Sequence, residues 1–161
     1  FFHPHAATPA AQESRGLGDV YKRQLSGVVA SSLFPLRSFA TPDKVASRIS
    51  EITNGKKVSD IDIYLDMPEI AENGNQVKIV FEIDSPMNED EYVKTVFVFA
   101  DGNPEPDVAK FNFTPAIGAC GATTRMRLSK TQNVIVLAEM NNGLFAKADT
   151  KVKVTIGGCG G

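Results

Sequence analysis

The chain has 161 residues, 17 Lys+Arg against 19 Asp+Glu, a formal net charge of -2, 42% hydrophobic residues, no Trp, 2 His and 2 Cys. That length predicts one domain, with enough residues to bury a real core, and the near-neutral charge argues against an electrostatic nucleic-acid binder. Both histidines, His3 and His5, precede any patterned segment. This argues against a Ser-His-Asp triad, a Cys-His pair or a His-ligated zinc in the domain. Cys120 and Cys159 are too few for an all-cysteine zinc site or a dense disulfide framework, so neither metal nor cofactor is expected.

Residues 1–40 read as a leader. The chain starts at Phe1 rather than Met, as a fragment or processed product would. Residues 1–24 show neither the 2.0 nor the 3.6 period and are expected to be disordered. Within them, Arg15–Gln24 resembles a translated sequencing-adapter read-through and is given no functional weight. Residues 25–40 are mildly apolar and end in Ser38-Phe39-Ala40, with small residues where a signal peptidase needs them. Pro35 and Arg37 interrupt the stretch, which falls short of the roughly 20 residues of a membrane span. The expectation is a truncated signal-peptide remnant, a mature chain from near Thr41, and an exported protein. Residues 41–161 hold 13 Lys+Arg and 17 Asp+Glu, a charge of -4.

A short helix opens the domain, expected over residues 41–156. Thr41 is a good N-cap, Pro42 suits the first helical position, and Asp43 complements the helix dipole. Val45, Ile49 and Ile52 form one apolar stripe, and Asn54-Gly55 is a stop. After Lys57 the period becomes two. Ile61–Leu65, Val77–Ile83, Val93–Ala100, Phe111–Phe113, Arg125–Leu128, Asn133–Glu139, Leu144–Ala148 and Lys151–Ile156 read as strands. Asn73-Gly74, Ser85-Pro86, Asp101-Gly102-Asn103-Pro104 and Asn142-Gly143 supply the turns. Short strands of this spacing, with no helices between them, predict an all-β, immunoglobulin-like antiparallel β-sandwich. A small Greek-key barrel is the second choice.

Several side-chain groups have ordinary readings. Glu89-Asp90-Glu91 is expected to be a solvated loop. Asp60, Asp62 and Asp66 lack the Gly and Glu that an EF-hand loop requires and fit the edges of a strand. Asn112-Phe113-Thr114 is a formal glycosylation sequon inside a strand. Arg125 and Arg127 share a strand face, where they could hold an anion or a partner's carboxylate.

The unusual feature is Gly157-Gly158-Cys159-Gly160-Gly161, a single thiol among glycines directly after an amphipathic strand. Extended, five residues reach roughly 17 Å. The segment is expected to be a flexible arm, with Gly157, Gly158, Gly160 and Gly161 supplying flexibility and Cys159 the chemistry. Such an arm positions a nucleophile poorly but can thread a thiol into another protein's channel. No His or close cation in sequence reach activates Cys159. Cys120, in Gly118-Ala119-Cys120-Gly121-Ala122, is expected to be a buried inert thiol. A Cys120–Cys159 disulfide stays open on the sequence.

Val152–Gly161 closely resembles the end of the SoxY family, the sulfur-carrier subunit of the bacterial thiosulfate-oxidising system. Met67–Gly74, Asn103–Pro106, Thr124–Leu128 and Val136–Glu139 match as well, so the resemblance covers about residues 43–161. It implies an immunoglobulin-like sandwich, a heterodimer with SoxZ, and a carrier cysteine that maps onto Cys159. It further implies that the haem c enzyme SoxAX conjugates thiosulfate to that sulfur and that the dimanganese hydrolase SoxB releases sulfate and leaves a persulfide. A sulfane dehydrogenase, where present, oxidises the remaining sulfur. The chain would then be the covalent substrate of enzymes, itself non-catalytic and periplasmic, with no nucleic-acid or membrane partner. The family usually carries a twin-arginine export signal, and no Arg-Arg precedes the apolar segment here. Cys120 is outside the family motif.

Three other readings compete. An exported structural sandwich would dimerise through a Cys159 disulfide. A ubiquitin-like sulfur carrier activated at its Gly-Gly carboxylate would have a compact fold with a central helix and no use for Cys159. A thiol enzyme would need the missing His or a Cys-x-x-Cys motif.

Overall fold

The computed structural model describes residues 42–59 and 61–158, all within the unit Arg37–Gly161. The leader, Thr41, Asp60, Cys159, Gly160 and Gly161 lie outside the described residues.

Helix α1 spans Pro42–Thr53. It closes as its sequence predicts: Asn54 and Gly55 both take left-handed φ values, 51° and 71°, and the Gly55 amide reaches back to the Ser50 carbonyl. The strands are β1 (Val58–Ser59), β2 (Ile63–Asp66), β3 (Ile70–Asn73), β4 (Val77–Ile83), β5 (Val93–Ala100), β6 (Asp107–Asn112), β7 (Cys120–Met126), β8 (Gln132–Met140) and β9 (Phe145–Ile156). A 3-10 turn, Pro115–Ile117, precedes β7.

One sheet runs β1-β9-β8-β5-β6, with β3 added on β9, and the other runs β2-β4-β7. The chain thus crosses repeatedly between two layers, with hairpins β5-β6 and β8-β9 kept within the larger sheet, the β-sandwich arrangement the strand spacing predicts. Strands β1 and β3 were not foreseen, and they depart from the antiparallel rule. Both pair parallel with β9, at Phe145–Ala146 and at Lys153–Ile156, while the chain between them crosses to the other sheet as β2. The two strands expected over 144–148 and 151–156 are one continuous β9. No Gly, Pro or Asn interrupts it, and Asp149-Thr150 stays in register opposite Ile135-Val134.

Two apolar clusters explain the pattern. Between the sheets, Ile79 and Phe81 of β4 meet Val96 and Val98 of β5 and Val134 and Val136 of β8. The Phe81 ring takes Phe111 and Phe113 edge-on, at centroid distances of 5.3 and 6.4 Å. On the outer face of the larger sheet, α1 lays Val45, Ile49 and Ile52 over Phe99, Ile135, Leu137 and Phe145. Strand β8 is therefore buried on both faces, which is why Val134–Ala138 reads as an unbroken apolar run instead of alternating. Among the described residues no helix is long and apolar enough to cross a membrane.

Candidate functional site

The end of β9 is stitched to two other segments. The Gly74 amide donates to the Ile156 carbonyl at 2.8 Å, the Leu128 amide donates to the Gly74 carbonyl at 2.8 Å, and the Gly158 amide donates to the Leu128 carbonyl at 2.9 Å. The turn at 74–76, the exit from β7 and the root of the glycine arm thus meet backbone to backbone.

That contact demands glycine for its size. A Cβ on Gly74 would strike the Leu128 carbonyl oxygen and lie 2.8 Å from the Gly158 nitrogen. One on Gly157 would strike the Ser129 carbonyl oxygen, and one on Gly158 would lie 2.9 Å from the Gly74 oxygen. All of these neighbours are backbone atoms that cannot swing away. Gly157 and Gly158, expected as the first links of a tether, are seated against the domain, with Gly158 buried. Cys159, Gly160 and Gly161 follow outside the described residues.

A polar lattice braces the seat. Asn103 donates from Nδ2 to the Arg127 carbonyl at 2.8 Å, and its Oδ1 accepts the Ser129 amide and Gln132 Nε2, both at 3.0 Å. Gln132 Oε1 takes the Gly102 amide at 2.7 Å. Ser129 donates its hydroxyl to the Gly102 carbonyl at 2.8 Å. Asn103 and Gln132 are buried, so these bonds form where water does not compete and where losing one leaves a bare polar group. Sequence reading found a turn at Asn103; its bracing role depends on contacts across the fold.

The stretches Met67–Gly74, Asn103–Pro106 and Thr124–Leu128 are far apart in sequence. Through Gly74, Asn103 and Leu128 they converge on the arm root.

Cys120 opens β7 opposite Ile83 and is 4% exposed. Burial pushes its thiol up to about 11, which leaves it protonated and unreactive at neutral pH, as expected. It sits at the opposite end of β7 from the arm root. The extended chain from Cys120 to Leu128 covers roughly 25 Å, and Cys159 is one peptide step from Gly158. A disulfide needs Cα atoms within roughly 7 Å. The seated Gly158 is thus held at the far end of β7 from Cys120.

The remaining candidates are dispersed. Asp62 and Asp66 are exposed at the edges of β2, and Asp60 lies outside the described residues. Glu89, Asp90 and Glu91 are exposed in a loop where Asn88 Oδ1 accepts the amides of Asp90 and Glu91. No cluster of metal-ligating side chains occurs among the described residues. Arg125 and Arg127 are exposed; Arg125 reaches Gln76, and Arg127 directly precedes Leu128, which accepts the Gly158 amide. A shallow groove of about 800 Å³ lies between Tyr64, Glu82, Ile117 and Gly121, at the Cys120 end of the smaller sheet.

A family model described as sulfur oxidation protein SoxY matches residues 49–159 and ends on Cys159. The chain belongs to the SoxY family. Among solved structures, the sulfur carrier protein SoxY from Chlorobium limicola f thiosulfatophilum is 30% identical, covering 71% of this chain and 98% of that one with a TM-score of 0.57. Superoxide reductase (neelaredoxin) from Ignicoccus hospitalis is 15% identical, covering 72% and 94%, with a TM-score of 0.52. A hypothetical protein from Pyrococcus horikoshii OT3 is 13% identical, covering 65% and 99%, with a TM-score of 0.51. These last two show a shared fold alone. No curated protein matches the chain.

Proposed function

We propose that this chain is a sulfur carrier of thiosulfate oxidation and that Cys159 bears the cargo. The observation that carries the reading is the family match, which runs to Cys159 itself. The buried, protonated state of Cys120 supports it by leaving Cys159 as the other cysteine in the chain. The conjugation joins the Cys159 sulfur to the outer sulfur of thiosulfate. One S–S bond forms, the thiol proton leaves, and two electrons are passed by a SoxAX-type haem enzyme to its electron acceptor, giving a cysteine S-thiosulfonate. Water then cleaves the S–SO3 bond in a SoxB-type hydrolase, releasing sulfate and leaving the persulfide. A sulfane dehydrogenase, where present, oxidises the persulfide before a second hydrolysis. The chain itself supplies no catalytic group. It works with a SoxZ-like subunit in the periplasm.

Intact-mass analysis after incubation with thiosulfate, the haem enzyme and an electron acceptor tests this. One thiosulfonate adduct is expected, retained in Cys120→Ser and absent in Cys159→Ser. An adduct that survives Cys159→Ser overturns the assignment. A protein that functions solely as a disulfide-linked dimer on non-reducing electrophoresis also overturns it.

A further inference from the structure

Positive charge flanks the seat of the arm. Arg125 Nη1 donates to the Gln76 side-chain oxygen at 3.1 Å. That bond ties the guanidinium to the side chain of Gln76, in the 74–76 turn whose Gly74 carbonyl and Asn75 amide lie against Gly158. Arg127 precedes Leu128, the residue whose carbonyl accepts the Gly158 amide. Both arginines are exposed, and neither pairs with a carboxylate among the described residues. Lys78 stands opposite Arg125 on β4. The acidic side chains that the neighbouring segment 69–76 brings are Glu69 and Glu72, both exposed.

Two guanidinium groups without carboxylate partners are suited to a sulfonate, whose oxygens match the planar N–H fork. The Cα of Cys159 is one peptide step, ~3.8 Å, from that of the seated Gly158. We infer that Arg125 and Arg127 form a parking site for the sulfonate end of the group on Cys159, holding the loaded arm against its own domain between partners. This rests on the reading of Cys159 as the carrier thiol. Exposed ion pairs shift an equilibrium by about 2- to 5-fold. That is enough to favour the parked arm and weak enough for a partner's active site to withdraw it.

The test loads the full chain without any Sox enzyme. Tetrathionate converts the Cys159 thiolate to the S-thiosulfonate and expels thiosulfate, with charge and sulfur balanced. Methyl methanethiosulfonate gives a neutral S-methylthio adduct of the same thiol. Hydrogen exchange in the peptide carrying Gly157–Gly161 is then compared. The thiosulfonate form is expected to exchange about 3-fold more slowly than the neutral adduct. The difference is expected to vanish in the Arg125→Gln/Arg127→Gln variant and to shrink with rising salt. Both side chains are exposed, so an unchanged Tm is the check that the variant is folded. Equal exchange for the two adducts in the unsubstituted chain overturns the parking site, and so does a difference that persists in the double variant. Because loading is chemical, failure of the enzymatic conjugation would strike the carrier reading separately.

Discussion

The amide of Gly158 is bonded to the carbonyl of Leu128, 30 positions earlier in the chain, at 2.9 Å. This bond makes the arm an extension of the β-sandwich for two residues beyond β9. Gly157 and Gly158 are small because backbone atoms of Ser129, Gly74 and Asn75 crowd them. Gly160 and Gly161 lie outside the described residues.

Gly74→Ala tests this crowding by touching no residue of the arm. The new methyl meets the Leu128 carbonyl and the Gly158 nitrogen, so the junction must open. Overpacking of this kind costs about 2–3 kcal/mol. Gly55→Ala, at a left-handed φ of 71° but with open space around it, should cost only about 1–2 kcal/mol. Thermal unfolding followed by circular dichroism should rank Gly74→Ala as the more damaging. Hydrogen exchange should show the Leu128 and Gly158 amides released in that variant and retained in Gly55→Ala.

Asn103→Ala removes the brace behind the seat. It strands the Arg127 carbonyl, the Ser129 amide and one Gln132 contact. Each buried orphan costs about 1–3 kcal/mol, and partial rehydration brings the expected loss to roughly 2–3 kcal/mol of stability. Urea unfolding measures it. An Asn103→Asp variant keeps Oδ1 but sets a buried carboxylate oxygen against the Arg127 carbonyl, and should lose at least as much.

The Cys120 thiol makes stability depend on alkaline pH. Its ordinary value of 9.0 is raised to about 11 by burial, so the unfolded chain gives up this proton first. Between those values the unfolded state binds fewer protons than the native state, and stability falls as pH rises from about 9 to about 11. Below that window the group contributes no pH dependence. In a Cys159→Ser background, Cys120→Ala should flatten the alkaline limb of a Tm-against-pH curve. At pH 8 iodoacetamide should modify Cys159 in the native protein and reach Cys120 only on unfolding.

Helix α1 has a covering function that Val45→Asp exposes. Val45 is 3% exposed over Phe99, Ile135, Leu137 and Phe145. A carboxylate there costs at least ~2 kcal/mol and loosens the helix. Increased binding of an environment-sensitive apolar dye and concentration-dependent self-association are the expected readouts, because the uncovered sheet face is a continuous apolar patch.

Much of this protein was decided locally. The alternation in Val77–Ile83, the stripe Val45-Ile49-Ile52 and the stop at Asn54-Gly55 each specify an element within a few residues, because side-chain periodicity and φ preference act at short range. The same holds for the isolation of one thiol among glycines, which singled out Cys159 and a carrier chemistry. Strands β1 and β3 escaped because strands this short, with Ala71 the one buried side chain among their described residues, owe their existence to the edge of β9 that they pair with. Only the tertiary structure brought Gly74, Asn103, Leu128 and Gly158 to one point. Those contacts join positions 24 to 84 residues apart, and no periodicity in a single chain encodes which backbone will crowd which glycine. The sequence by itself singled out the thiol on which the proposed carrier function rests; the packing of distant segments against Gly157 and Gly158 decided where the arm begins.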